Sequence, residues 1–214
     1  MPPDLPRLLV IDTATEACSV ALFDGVRLVA SEYAVMGRGH AERLVPMIAA
    51  LPDRGRAQAI LVNCGPGSFT GVRVGLAAGR ALALAWSVPV SGYSTHRLIA
   101  AMALDQTPGA LGVDVVMTGG HGEYFAQGFD AQGEPLGALA SLTPDAARDA
   151  CTQPLVAGSM AAALVDARGH GSALALLPDA RRALLLTGAA RALPADPIYG
   201  RGADAKPMAN AALG

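Results

Sequence analysis

The chain has 214 residues, of which 52% are hydrophobic and only 16% are charged. This balance excludes an intrinsically disordered protein, and the length allows one large domain or two small lobes. With 16 basic and 18 acidic residues the net charge is −2, a poor balance for a protein that would bind nucleic acid alone. Three widely spaced cysteines, no signal-peptide pattern and no bilayer-length apolar stretch predict a cytoplasmic protein.

The first half of the chain predicts a three-stranded meander followed by alternating helices and strands. Apolar runs and turn residues place the strands at 8–13, 17–23, 26–33, 59–64 and 88–91, and helical spacing places the helices at 40–51, 70–86 and 94–104. Asp24-Gly25 fits the two-residue turn of a hairpin.

The second half repeats this order. Strands are predicted at 111–118, 123–129, 135–139, 155–157 and 173–177, and helices at 144–150, 160–168 and 179–193. An internal duplication explains the repeat, with an N-terminal lobe at 1–105 and a C-terminal lobe at 106–214. Two βββαβα lobes are typical of the actin, sugar-kinase and Hsp70 superfamily. An ordinary mixed α/β domain with a chance meander in each half is the alternative.

The first motif is the turn that follows the first strand. Asp12, Thr13 and Thr15 could present hydroxyl and backbone N–H groups to a phosphate, with Asp12 holding a metal ion or water. The alternative is a structural turn in which Asp12 caps the backbone and the threonines bond locally.

The second motif, Asn63 to Arg73, connects a strand to a helix. Gly65 and Gly67 permit unusual backbone conformations, and Ser68 or Thr70 can cap a helix whose N-terminus favours an anion. The spacing is not that of a P-loop, because no lysine follows Gly71. A rigid turn whose glycines allow close packing is the alternative.

The helix after this loop is apolar on nearly its whole circumference. From 72 to 86 its charged residues are Arg73 and Arg80, seven positions apart and therefore on one stripe. Gly71, Gly75 and Gly79 form a strip that another backbone could approach closely. A partner helix or burial within a single lobe would each cover such a helix.

The sequence shows no convincing catalytic or metal-binding constellation. His40 has no second histidine four residues on, and no serine or cysteine lies in a recognised nucleophile motif. We therefore expect no catalytic residues and no metal site.

Several of these segments resemble the bacterial TsaB (YeaZ) family. The resemblance rests on Ile11 to Thr15, on the Gly-Pro-Gly-Ser-Phe-Thr-Gly-Val-Arg run at 65–73, and on shorter matches at 92–95, 122–124, 197–201 and 206–207. It implies an actin-like, ribonuclease H-like fold of two lobes. It also implies a non-catalytic role in making N6-threonylcarbamoyladenosine next to the anticodon of tRNA.

The same resemblance implies partners. The family pairs with the transferase TsaD, which the ATPase TsaE joins, and we expect a homodimer when the chain is alone and only indirect contact with tRNA. The first two helices form the family interface, which carries over to Leu44, Ile48, Val72, Leu76 and Ala83. Of the two histidines of the TsaD metal site only His40 is present, so that chemistry should be absent.

No tightly bound cofactor is expected, although ATP could act at the level of the complex. Any remaining nucleotide contact would come from a degenerate phosphate loop, which comprises Asp12, Thr13, Thr15, Gly65, Gly67 and Ser68. The alternative function is a stand-alone ATP-dependent kinase or hydrolase that uses Asp12 and the loop 65–71. A peptidase activity has no chemical support in the sequence.

Overall fold

The computed structural model describes residues 6–200 and contains two five-stranded mixed sheets. The first sheet has the order β3-β2-β1-β4-β5 and is formed by β1 (Leu8–Asp12), β2 (Ala17–Asp24), β3 (Arg27–Val35), β4 (Ala59–Asn63) and β5 (Val90–Tyr93). The second has the order β10-β9-β6-β7-β8 and is formed by β6 (Gly112–Thr118), β7 (Tyr124–Asp130), β8 (Ala140–Leu142), β9 (Leu155–Ala157) and β10 (Ser172–Leu174). The helices are α1 (His40–Ala50), α2 (Phe69–Trp86), α3 (Thr95–Gln106), α4 (Pro144–Ala150) and α5 (Ala161–Arg168).

The two sheets have the same topology. In each one the first strand is central, pairs antiparallel with the second strand and pairs parallel with the fourth. The duplicated βββαβα architecture predicted from the sequence is therefore confirmed, and the fold is the two-lobed actin-like fold.

Two hydrophobic cores lie on opposite faces of the first sheet, because successive strand residues point to opposite sides. Leu9 and Ile11 of β1 pack in the core beneath α1 and α2. Val10, between them, packs in the other core with residues of α3 and of the segment 180–190. Helices thus cover both faces, which explains why β1 and β4 are apolar up to their last residues, Asp12 and Asn63.

Helix α3 is shared between the two lobes. Leu98 and Met102 pack in the core that contains Val10, whereas Ile99 and Ala103 pack with residues of the second sheet. The division of the chain at residues 105 and 106 stays a prediction.

Two predicted elements of the second lobe are wrong. The helix expected at 179–193 is two short 3₁₀ helices, Ala180–Leu185 and Gly188–Arg191, separated by the extended residues Leu186 and Thr187. Its buried residues Ala180, Ala183 and Leu186 recur every three positions, which is the period of a 3₁₀ helix. The strand expected at 135–139 is an exposed connection, and β8 follows it.

Smaller differences concern a turn and the C-terminus. The first hairpin turn consists of Gly25 and Val26, because Asp24 still pairs with Arg27. The matches at Arg201, Lys206 and Pro207 lie outside the described residues.

Within 6–200, no helix combines the length and the apolar character needed to cross a bilayer.

Candidate functional site

The first turn and the glycine loop pack directly against each other. The Thr13 hydroxyl donates to the carbonyl oxygen of Gly71 at 2.7 Å, and the Ser68 amide donates to that of Ala14, also at 2.7 Å. A Cβ at Gly71 would overlap the Thr13 carbonyl oxygen, and one at Gly67 would overlap that of Ala14. These two glycines therefore allow the close approach of two backbone segments.

The N-terminus of α2 is capped by the protein itself. The Ser68 side chain accepts a hydrogen bond from the Gly71 amide at 3.2 Å, as the sequence predicts for one of the two candidate caps. The Ser68 and Val72 amides are bonded to the carbonyl oxygens of Ala14 and Ser68. Three amides at this end of the helix thus already have partners within the chain.

Asp12 is fully buried at the end of β1, in a network that joins three strands. Its Oδ2 accepts from Asn63 Nδ2 at 2.7 Å and from the Tyr93 hydroxyl at 2.6 Å, and its Oδ1 accepts from the Ala14 amide at 3.2 Å. Burial raises the pKa of Asp12 to about 6, although these hydrogen bonds favour the charged form and act against the rise.

Asn63 extends this network to the glycine loop. Its Oδ1 accepts from the Gly65 amide at 2.7 Å and from the Thr95 hydroxyl at 2.9 Å. Gly65 itself has a φ of +94°, a conformation that only glycine adopts without strain. Sequence reasoning did not place Asn63 or Tyr93 next to Asp12, because no local pattern connects them.

A cleft of about 850 Å³ lies between the two lobes. The first lobe lines it with residues 14–16 and 66–69, the second with 117–121 and Ser159, and the C-terminal segment with 197–200. Of the predicted phosphate-loop residues, Thr15, Gly67 and Ser68 line the cleft, whereas Asp12, Thr13 and Gly65 lie behind its wall.

The second-lobe wall of the cleft is a glycine-rich turn after β6. The Thr118 amide donates to the Ser159 hydroxyl at 3.0 Å, and the two side-chain oxygens lie 3.1 Å apart. Met117 and Phe125 add an apolar surface to this wall. The cleft is therefore a mixed surface of hydroxyl groups and apolar side chains.

His40 is a buried structural residue at the start of α1. Its Nε2 lies 3.3 Å from the Ala17 carbonyl oxygen, which ties the helix to β2. Throughout residues 6–200, no three His, Cys, Asp or Glu side chains are grouped so that they could hold a metal ion.

The three cysteines are free and buried. Burial raises the pKa of Cys18 and of Cys64 to about 11 and that of Cys151 to about 12. All three therefore remain protonated near neutral pH, and a protonated thiol is a poor nucleophile.

The five predicted interface residues all lie in the core between the first sheet and its two helices: Leu44, Ile48, Val72, Leu76 and Ala83. Their side chains are thus not available to a partner, and the choice of residues needs correction. The glycine strip also faces inward, since a Cβ at Gly75 would meet the Thr13 side chain and one at Gly79 would meet Val62.

The side of α2 that faces away from the sheet carries exposed apolar residues beside Arg73 and Arg80. Ala77, Ala81 and Leu84 recur at four- and three-residue spacing, and Phe69 lies about two turns before Ala77. We call these four residues the outer stripe of α2. Leu84 is 83% exposed and Phe69 is 67% exposed. On α1, which packs on the same face of the sheet, Val45 is 63% exposed. Sequence reasoning missed this stripe, because small and apolar residues occupy nearly the whole circumference of the helix.

The fold and the cleft define a two-lobed protein of the actin-like class, and comparisons with known proteins identify the family. Residues 34–161 match the family model of TsaD, a tRNA N6-adenosine threonylcarbamoyltransferase. The solved structure of YeaZ from Pseudomonas aeruginosa superimposes with a TM-score of 0.75, at 32% identity, over 91% of this chain and 100% of that one.

Two relatives complete the comparison. The chain is 42% identical over 95 residues to the tRNA threonylcarbamoyladenosine biosynthesis protein TsaB of Escherichia coli, a match that takes in 42% of this chain but only 40% of that protein. It is 30% identical over 212 residues, 96% of both chains, to an uncharacterised protein of Mycobacterium tuberculosis. The chain belongs to the TsaB (YeaZ) family.

Proposed function

We propose that this chain is a non-catalytic subunit in the biosynthesis of N6-threonylcarbamoyladenosine in tRNA. In this proposal it binds a TsaD-type transferase through α1 and α2, TsaE joins the pair, and tRNA is contacted mainly by the other subunits. Membership of the TsaB family supports the pathway, and the net charge of −2 fits a subunit that leaves most RNA contact to its partners.

The observation that carries the proposed pairing is the outer stripe of α2. Exposed large apolar side chains on the outer side of this 18-residue helix, Phe69 and Leu84, are typical of a protein interface. When no transferase is present, a second copy of the chain could cover the same stripe in a symmetric dimer.

The buried network around Asp12 supports the non-catalytic part of the proposal. A carboxylate that accepts hydrogen bonds from Asn63, Tyr93 and the Ala14 amide lies behind the cleft wall and is not presented to a ligand. The packing of the first turn on the glycine loop likewise favours a structural role for both motifs.

Reconstitution tests the proposed function directly. Cognate TsaD and TsaE are incubated with tRNA, ATP and threonylcarbamoyl-adenylate, with and without this chain. We expect modified adenosine only when the chain is added, and none from the chain alone. Full activity of TsaD and TsaE in its absence would refute the proposal.

A charge on the outer stripe tests the pairing. Leu84→Glu should abolish copurification with TsaD and dissociate the homodimer in light scattering, because it places a carboxylate in a dry interface. Leu111→Glu is the matched control, because Leu111 is 86% exposed at the entry to the second lobe and lies outside α1 and α2. Loss of binding in both variants, or in neither, would contradict the proposed surface.

The interlobe cleft is the observation that favours the alternative, a stand-alone ATP-dependent enzyme. Calorimetric titration of the isolated chain with ATP and Mg²⁺ distinguishes the two functions. Heat of binding together with turnover that is lost in Asp12→Ala would support the alternative. The proposed function predicts no turnover in either protein.

A further inference from the structure

The segment Leu193–Gly200, which we call the C-terminal strap, is fastened to the first lobe by its backbone. Leu193 and Gly92 exchange two hydrogen bonds, of 2.7 and 3.1 Å, at the edge of β5. Further along, the Ile198 amide donates to the Cys64 carbonyl oxygen at 2.7 Å. The strap therefore continues the first sheet and then follows the glycine loop.

Two arginines of α2 hold the strap from the side. Arg80 donates to the Ala195 carbonyl oxygen at 2.6 Å and forms an ion pair with Asp196. Arg73 donates to the Tyr199 hydroxyl at 2.8 Å and stacks on the ring of Phe69. The prediction that Arg73 and Arg80 share one stripe is confirmed, and the strap lies along that stripe.

The strap ends against the second lobe. Gly200 lies so close to the ring of Phe125 in β7 that a Cβ at this position would overlap it. Ile198, Tyr199, Gly200 and Phe125 all line the cleft. The strap thus starts on one lobe, crosses the cleft and ends on the other lobe.

The position of this crossing matters for motion between the lobes. The chain passes from the first lobe to the second between α3 and β6, and it returns between β10 and residue 180. Both α3 and the 3₁₀ helix Ala180–Leu185 pack in the core that contains Val10. Ala195 and Ile198 of the strap pack instead against the core on the opposite face of the first sheet. Two connections on one side allow the lobes to rotate as on a hinge, whereas a contact on the other side opposes that rotation.

We propose that the C-terminal strap is a latch that sets the opening of the interlobe cleft. Its attachment to Arg73 and Arg80 fixes it to the first lobe, and the contact between Gly200 and Phe125 fixes it to the second. This inference concerns the chain alone and does not depend on the proposed function.

The test measures cleft opening and latch attachment separately. Spin labels on Thr70→Cys and Ala162→Cys, both exposed and one on each lobe, report the interlobe distance, because the three native cysteines are buried. Hydrogen exchange at the Ile198 amide reports whether the strap stays attached. The variants are Gly200→Val, which overlaps Phe125, and Arg80→Gln, which removes the ion pair with Asp196; the matched control is Gly137→Ala, where a Cβ meets open space.

We expect a narrow distance distribution in the parent protein and in Gly137→Ala. Gly200→Val should shift and broaden it, and Arg80→Gln should raise the exchange rate at Ile198 roughly tenfold and broaden the distribution as well. The proposal would be overturned by a variant in which the Ile198 amide exchanges faster but the interlobe distance distribution is unchanged. It would also be overturned if Gly200→Val and Arg80→Gln both left the distance distribution and the exchange rate unchanged. If Gly200→Val does not fold, Arg80→Gln alone decides between these outcomes.

Discussion

Asp12 has its carboxyl group in a buried network, and this makes the stability of the protein depend on pH. Its folded-state pKa of about 6 lies above the ordinary value of 3.8, so the folded protein binds this proton more tightly than the unfolded chain does. The contribution of the Asp12 proton to the unfolding free energy is fully present below about pH 4 and is lost as the pH rises through 6. Between about pH 4.5 and pH 7 the loss amounts to about 2 kcal/mol.

The variant Asp12→Asn isolates this contribution, because an amide does not titrate. We expect the unfolding free energy of the parent protein, measured in urea, to fall by about 2 kcal/mol relative to the variant over that range. Equal pH dependence of the two proteins would show that Asp12 does not titrate in this window. Asp114, whose pKa is also raised by burial, is present in both proteins and cancels in the comparison.

Gly71 tests the packing of the first turn on the glycine loop. Gly71→Ala should destabilise the protein by about 1–3 kcal/mol in urea unfolding, because the new methyl group overlaps the Thr13 carbonyl oxygen. Gly137→Ala places the same methyl group in open space and should change stability by less than about 0.5 kcal/mol. Similar effects of both substitutions would exclude close packing as the reason for glycine at position 71.

At the scale of single residues, the sequence predicted which segments form the candidate site but left open whether they bind a ligand or hold the fold together. Asp12 and the glycine loop stood out by residue type, and both a phosphate site and a structural turn fitted them. The hydrogen bonds that favour the structural turn come from Asn63 and Tyr93, which are 51 and 81 positions away from Asp12. No local pattern connects residues so far apart in the chain.

For helix α2 as a whole element, too, the sequence predicted one part of the structure and left another part open. Its existence and its Ser68 cap could be predicted, but which of its sides faces the sheet could not. Because small and apolar residues surround the helix, hydrophobicity alone does not separate the side that faces the sheet from the outer stripe. The contacts of Gly75 and Gly79 with the first lobe make that distinction in the structure.

Alanine substitutions on the two sides of α2 should therefore differ in their effect on the unfolding free energy. Leu76→Ala should lower the unfolding free energy by about 2–5 kcal/mol, because it leaves a cavity in the core beneath α1 and α2. Leu84→Ala should change it by less than about 0.5 kcal/mol, because Leu84 is exposed. Denaturant unfolding of both variants measures the difference, and a large loss for Leu84→Ala in the monomer would mean that the orientation of α2 is wrong.

The architecture of the whole molecule could be predicted where the hydrophobic pattern of the sequence is periodic, and could not be predicted where it is not. The duplicated order of strands and helices gave the two lobes and their sheets. The C-terminal strap has no helical or strand periodicity, and its place depends on distant side chains such as Arg73, Arg80 and Phe125. The same holds for the 3₁₀ segments before it, whose short apolar runs resemble a helix in sequence.

Helix α3 joins the lobes physically, and one of its contacts is a buried histidine. His96 Nε2 lies 3.0 Å from the Phe125 carbonyl oxygen of β7, and burial lowers the pKa of His96 to about 4. The ring is therefore neutral at pH 7, and Nε2 carries the proton because a carbonyl oxygen can only accept. With Leu98 in one core and Ile99 in the other, α3 cannot unfold without disturbing both lobes.

We therefore expect the two lobes to unfold in a single cooperative transition. Leu44→Ala and Leu164→Ala each leave a cavity in a core remote from α3, one per lobe, and each should lower the same calorimetric transition. Hydrogen exchange should show amides of both sheets losing protection together in either variant. Two separate transitions, or loss of protection only in β6–β10 after Leu164→Ala, would mean that α3 belongs energetically to one lobe and that the lobes fold independently.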